Sequence, residues 1–393
     1  MSALSHVRVL DFTRFLAGPF CTQMLADLGA EVVKIENPKG GDEGRYAYGM
    51  PHLFKAVNRN KRGITLDVRT EDGRGLFERL LPHFDVLVEN FAGGTLARWG
   101  LAPLDLCRRH PKLIVASLSG FGQTGPYSGH PSYDLITQAS SGFMSITGFP
   151  DNPPTRGGGS LGDYVQGLFG AVGVLGALVA RDRTGRGQAV DVSSQDAMFS
   201  MLDAWPAMFE STGTLPERVG NAHMGTAPYD CYRARDGWVV IAVASNKLFR
   251  KLADAIGRPE LGTDDRYRGV AGRIARRDEV NGAVAAWVET RTVAEVVEAL
   301  GPDGADVPCS PVHTVDQLLT HPQLLARDMI HRFDDPEVGG PVVVPGIVPK
   351  LSDTPTEVRT PGPTLGQHNA EIYGELLGLE AEELADLTAR KVI

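Results

Sequence analysis

The stretch VRVLDFTRFLAGPFCTQMLADLGAEVVKIE, residues 7–36, decides the fold. Its ends, VRVLDF (7–12) and EVVKIE (31–36), are short β-branched runs that read as strands. Between them, Gly18-Pro19 opens a helical pattern over 18–29. Proline suits a first helical turn because its missing N–H would be unpaired there anyway, and Gly29 is a good C-terminal cap. Downstream the alternation continues with GITLDV (63–68), a helix after Thr70, DVLVEN (85–90) and KLIVASLSGF (112–121). Strands alternating with helices predict an α/β fold, a Rossmann-like parallel sheet covered by helices.

The stretch 122–163 is rich in Gly, Pro, Ser and Thr without sustained periodicity, and long irregular loops are often functional. At Gly162-Asp163 a helix begins, YVQGLFGAVGVLGALVAR, in which Gly167, Gly170, Gly173 and Gly176 recur every three residues. Glycine costs helix stability, so a closely packed neighbour is expected along that stripe. QAVDVS (188–193) leads to one amphipathic helix through Met198, Met201, Trp205 and Phe209. A second αβ unit starts at DGWVVIAVAS (236–245) and carries helices near 247–256 and 276–289. The division expected is a large domain over 1–210, a linker over 211–228 and a smaller α/β domain over 229–330. A linker rich in proline and glycine then returns the chain over 331–393 to the large domain, ending in a helix, AEIYGELLGLEAEELADLTAR.

A net charge of −9 with dispersed basic residues gives no footprint for nucleic acid and no polybasic membrane patch. Any anionic ligand must be held by local cations. No signal-peptide pattern opens the sequence, and no apolar stretch reads as long enough to span a bilayer, so a cytoplasmic protein is expected. Cys21, Cys107, Cys231 and Cys309 form no CxxC pair and no zinc spacing; neither disulfides nor a metal site are expected, and Cys21 reads as a buried, inert thiol.

The 7–36 unit is also the kind that binds phosphate at a helix N-terminus, although it lacks the GxGxxG spacing of a dinucleotide fold. Asp163 stands at the start of the glycine-striped helix. Free N–H groups and the positive helix end there would keep it ionised. Aspartate is also among the commonest helix caps, so capping and catalysis are both open for it on these grounds.

Read together, LDFTRFLAGPFCTQMLADLGAEVVKIENPKGGD (10–42), NRNKRGITLDV (58–68), DVLVENFAGGTLARWGL (85–101), ASLSGFGQTGPYSGHPSYD (116–134), SGFMSITG (141–148) and GDYVQGLFGAVGVLGAL (162–178) resemble the class III CoA-transferases. That family includes formyl-CoA transferase, carnitine CoA-transferase and α-methylacyl-CoA racemase. The resemblance implies that Asp163 is the nucleophile, passing through a mixed anhydride and an aspartyl-CoA thioester. It implies a CoA site at Phe15, Leu16 and Ala17, at Leu66, Asp67 and Arg69, at Asn90, Phe91 and Ala92, and at Arg98, with the Tyr133-Asp134 pair near the reacting thioester. Arg98 is the phosphate contact it favours. A substrate loop would hold His223, Met224 and Gly225. Coenzyme A enters as acyl-CoA substrate, with no permanently bound cofactor. The partners implied are acyl-CoA, a carboxylic acid and a second copy of the chain, interlocked as a homodimer with each active site between two subunits.

The departures from the family pattern point to particular chemistry. Leu16 stands where formyl-CoA transferase has glutamine and Asn37 where it has arginine, and the 220–226 loop is bulkier than that enzyme's glycine run. A different acid is implied, and the resemblance alone, through a common use of the family, gives succinyl-CoA as the expected donor. Tyr133 and Ser245 occupy the positions of the racemase's histidine and glutamate, and a tyrosine with a pKa of about 10 is a poor base at neutral pH. Racemisation is therefore the alternative reading, and a non-catalytic CoA-binding or oxidoreductase module the third.

Overall fold

The computed structural model describes residues 2–393. Six strands, β1 (Arg8–Phe12), β2 (Glu31–Glu36), β3 (Arg62–Thr65), β4 (Val86–Glu89), β5 (Ile114–Ser119) and β6 (Ala189–Ser193), form one sheet in the order β3-β2-β1-β4-β5-β6. Every neighbouring pair is parallel, as the alternation in the sequence predicts. The strand order reverses direction between β1 and β4. In doubly wound sheets the crevice at the carboxyl ends of such strands is where ligands bind.

Successive strand residues point to opposite faces, and here both faces are buried. Leu10, Val33, Ile35, Leu87 and Val115 pack under the helix Glu71–Leu80 and under Ile372, Tyr373 and Val392 from the C-terminal segment. That segment is tied to the sheet by the Tyr373 hydroxyl, which donates to the Thr65 carbonyl at 2.7 Å. On the other face Val9, Val32, Val86, Val88 and Ala116 pack against α1 (Ala17–Asp27) and α3 (Leu161–Thr184), while α2 (Asp134–Ser140) packs on α3. Cys21 is fully buried there; burial and the nearby Asp11 push its thiol up to about 12, which leaves it inert.

The glycine stripe of α3 meets neighbours at three of its four positions. A Cβ on Gly167 would lie 2.8 Å from the Ala17 carbonyl oxygen, one on Gly170 2.9 Å from Leu118, and one on Gly173 2.8 Å from Val190. Gly176 faces open space, so its helix cost is not offset by close packing. At 24 residues with a mean hydropathy of 1.5, α3 is long and apolar enough to cross a membrane, which corrects the reading that no stretch is. Its packed face against α1, β5 and β6 makes it a core helix of this unit.

Two compact units divide the chain: residues 1–143, 157–207 and 322–393 in one, residues 144–156 and 208–321 in the other. In the second, antiparallel strands β7 (Tyr229–Arg233), β8 (Trp238–Ala242) and β9 (Cys309–Pro311) carry a core of Val239, Ile241, Phe249, Leu252, Val280, Val284 and Leu300. The segment 144–156, expected with the large domain, belongs to this unit. Other local details also differ from expectation. The helix through Met198 and Phe209 is two, Ser194–Phe199 and Trp205–Thr212, broken where Asp203 takes a left-handed φ of 55°. The last helix is likewise two, Asn369–Leu377 and Ala381–Ala389, with Gly378 at φ 67° between them. The supposed linker after 331 holds a hairpin, β10 (Ile330–Asp335) with β11 (Gly340–Pro345).

Candidate active site

The site begins with the loop that leaves β1 at the strand-order reversal. Its backbone is pinned at Thr13, Arg14 and Phe15 by polar side chains. The Thr13 N–H donates to Asp11 Oδ1 at 3.0 Å, and Lys34 Nζ donates to the Thr13 carbonyl at 2.8 Å. Asn90, just past β4, takes the Arg14 N–H on Oδ1 and returns Nδ2 to the Arg14 carbonyl, both at 2.8 Å. Asp42 Oδ1 accepts the Phe15 N–H at 2.8 Å while Lys34 Nζ lies 2.9 Å from its Oδ2. These bonds hold Phe15 at φ 66°, a left-handed conformation that costs a non-glycine residue energy and persists only where the surroundings impose it. Gly18 follows because a Cβ there would lie 2.5 Å from Thr13 Cβ.

Two cavities flank this loop. The larger, about 550 Å³, is walled by Phe91 and Trp99, whose rings meet edge-on at 5.1 Å, and by Leu66, Asp67, Ala92 and Tyr46. Arg14, Lys39 and Arg69 are its cations. Arg14 lies 3.0 Å from Glu43 and stacks 5.4 Å from the Phe91 ring centre; Arg69 lies 2.7 Å from Asp67. The smaller cavity, about 210 Å³, is lined by Phe15, Leu16, Ala17, Asn90, Phe91, Ala92, Tyr133 and Asp163. Residues gathered from four separate parts of the sequence therefore meet around Asp163.

Asp163 is not a helix cap. Ser160 holds the cap position of α3 without a side-chain bond, and the Gly162 N–H is taken at 2.8 Å by Asp134 Oδ1 from α2. Gln138 Nε2 donates to both oxygens of the same Asp134 carboxylate, at 3.0 and 2.9 Å. The carboxylate of Asp163, by contrast, is pushed up to about 7 by burial and by the Asp134 charge. This corrects the expectation that the helix terminus keeps it firmly ionised: loss of hydration and a like charge outweigh the helix end. A carboxylate that titrates near neutrality in a cleft is a candidate for chemistry.

The α1 helix supplies the other half of the site. Leu16 at its cap position makes no side-chain bond and its first turn holds no acidic residue, so the N–H groups of Ala17 and Gly18 are left to a ligand. The close passage of Gly167 over the Ala17 carbonyl brings this helix start next to the second turn of α3.

The remaining predicted residues fall elsewhere. Arg98 is exposed and lines neither cavity, its Nη2 donating to Thr95 Oγ1 at 2.8 Å. His223, Met224 and Gly225 lie in the second unit, where His223 Nδ1 accepts the Gly225 N–H at 3.0 Å and the Met224 carbonyl accepts from Arg277. Tyr133 is 72 % exposed, which excludes a core tyrosine. Sequence reasoning missed Arg14, Lys39 and Trp99 in the larger cavity and His130, Gln166 and Ser194 in the smaller. Gln166 was legible, being one helical turn beyond Asp163. Among the described residues no three His, Cys, Asp or Glu side chains gather as metal ligands.

A family model described as CoA-transferase family III matches residues 4–369. The chain is 42% identical over 396 residues to succinyl-CoA–D-citramalate CoA-transferase of Chloroflexus aurantiacus, covering 99% of this chain and 98% of that one. It is 36% identical over 391 residues to succinate–glutarate CoA-transferase of Agrobacterium fabrum, covering 96% of each. Among solved structures, a CAIB/BAIF family protein from Brucella suis superposes with a TM-score of 0.84 at 35% identity, over 95% of this chain and 99% of the other.

Proposed function

The chain belongs to CoA-transferase family III and is an acyl-CoA:carboxylate CoA-transferase, and from that premise we propose that Asp163 carries the acyl group and then CoA between a short acyl-CoA, succinyl-CoA first, and a second carboxylic acid. The observation that carries this reading is the placement of Asp163, a carboxyl without a capping task and near neutrality in its titration, beside an uncapped helix start in one small cavity.

In the first step a carboxylate oxygen of Asp163 attacks the thioester carbonyl; a C–O bond forms, the C–S bond breaks, and CoA leaves as thiolate. The thiolate then attacks the Asp163 acyl carbon of the mixed anhydride, giving an aspartyl-CoA thioester and releasing the donor acid. The acceptor carboxylate reverses the sequence and leaves with CoA. Each step exchanges acyl bonds of comparable energy, which is what covalent catalysis achieves. The Ala17 and Gly18 N–H groups serve the oxyanion that forms in each tetrahedral state. A carboxylate with a raised pKa is also the more basic nucleophile.

The larger cavity suits coenzyme A. Phe91 and Trp99 offer faces for adenine, and Arg14, Lys39 and Arg69 offer charge to its phosphates. Leu66, Asp67 and Ala92 shape it, while Asn90 acts by holding the Arg14 backbone. Arg98, expected as the phosphate contact, is left out of this reading because it lines neither cavity. A cavity of about 210 Å³ around Asp163 fits a short acid rather than a long acyl chain, and citramalate and glutarate in the relatives' names are short acids.

A second copy of the chain is the proposed cover for the outer face of α3, where Leu168, Phe169, Val172 and Val179 are 43–65 % exposed. The His223–Gly225 loop is then the candidate to close a site. The test is a panel of acyl-CoA donors crossed with carboxylic acids, read by mass spectrometry: CoA exchange supports the reading. Exchange of an α-proton in deuterated water without any acceptor acid would replace it with racemisation.

A further inference from the structure

Two serines that line the Asp163 cavity carry buried hydroxyls with nothing to bond. Ser119, the last residue of β5, and Ser194, which follows β6, both line the cavity and are 5 % and 3 % exposed. Neither Oγ has a hydrogen-bond partner among the described residues. Buried hydroxyls are normally paired, and a pair left unpaired in one cavity calls for a reason.

Neither serine has another task. Capping of the helix Ser194–Phe199 is done by Ser193, whose Oγ accepts the Asp196 N–H at 3.1 Å, so Ser194 is released from it. The backbone beside both is fixed by Gln166, whose Nε2 donates to the Ser119 carbonyl at 2.8 Å and to the Val192 carbonyl at 2.9 Å. Gln166 lies one turn from Asp163 on α3. The strand ends that bear the serines are thus tied to the helix that bears the nucleophile. A serine hydroxyl turns between staggered positions about its Cα–Cβ bond, so either Oγ can be presented to the cavity.

Resting on the CoA-transfer reading of this cavity, we propose that Ser119 and Ser194 form a polar subsite for a hydroxyl on the acid that Asp163 carries, and that the enzyme selects hydroxylated short acids over their deoxy counterparts. A hydroxyl both donates and accepts, which matches two neutral serines. A carboxylate buried against them would bring a charge that needs a cation, and the cavity's arginine, Arg14, is already paired with Glu43.

The test uses the full-length enzyme, succinyl-CoA as donor and isotopically labelled malate and succinate as acceptors, a pair differing by one hydroxyl. The unmodified enzyme should favour malate in kcat/KM by at least about tenfold, since a site built to bond a hydroxyl discriminates against the analogue that lacks it. Ser119→Ala with Ser194→Ala should bring that ratio toward one by losing rate on malate. Because the hydroxyls are unpaired in the fold, the same variants should keep or raise the melting temperature. An unchanged ratio, equal loss on both acids, or a clear drop in melting temperature overturns the proposal. Failure of the underlying reading looks different: the unmodified enzyme would exchange CoA with neither acid.

Discussion

Asp11 and Asp163 are both carboxylates in the interior of the same unit, and their surroundings drive them in opposite directions. Asp11 is fully buried, which by itself opposes ionisation; Lys61 and Lys34, with the Thr13 and Thr22 hydroxyls, more than offset that and hold it far below the usual carboxylate range. Lys61 Nζ lies 2.9 Å from Asp11 Oδ2 and also reaches the Pro19 carbonyl, Thr22 and Asn58. Among the described residues no cation is paired with Asp163, a like charge is nearby, and it rises to about 7. Full partnering makes Asp11 a strut for the 13–17 loop. Under-partnering leaves Asp163 as a reactive group.

Alanine substitution separates the two roles most strongly. Asp163→Ala should lower CoA exchange by more than about a thousandfold, the scale of losing a covalent nucleophile, with the denaturation midpoint retained. Asp11→Ala should do the reverse, costing about 3–5 kcal/mol in urea unfolding because Lys61 stays buried without its carboxylate. Equal stability loss at both positions would erase the contrast.

The origin of the raised pKa is tested at Asp134. Asp134→Asn keeps an oxygen for the Gly162 N–H but removes the charge, so the acidic limb of the kcat/KM profile, expected near pH 7, should move to lower pH. A fixed limb would assign the whole effect to burial. The smallest effect is on stability. A carboxyl whose folded pKa is raised binds more protons folded than unfolded between its ordinary value of 3.8 and about 7, so its contribution to stability falls as pH rises through that window. Asp163→Asn removes this penalty. Its melting temperature should match the parent near pH 4 and exceed it at pH 8.

The parallel sheet was legible because each strand is a compact apolar run between helical stretches. The helix breaks at Asp203 and Gly378 were not, because the apolar period continues through them and only the backbone φ reveals the turn. At the site, residues 15–17 and Asp163 were singled out by resemblance and by helix position. The capping of α3 by Asp134 was hidden, since it depends on two helices meeting across 28 residues of chain. Arg14 and Lys39 were equally hidden, being ordinary loop cations until the folded loops place them around one cavity.

The covalent role of Asp163 is tested most directly by mass spectrometry of the peptide containing it after incubation with acyl-CoA and hydroxylamine. The account predicts an aspartyl hydroxamate at Asp163 that forms only when acyl-CoA is present. An enzyme that exchanges CoA at full rate while Asp163 stays unmodified would contradict it.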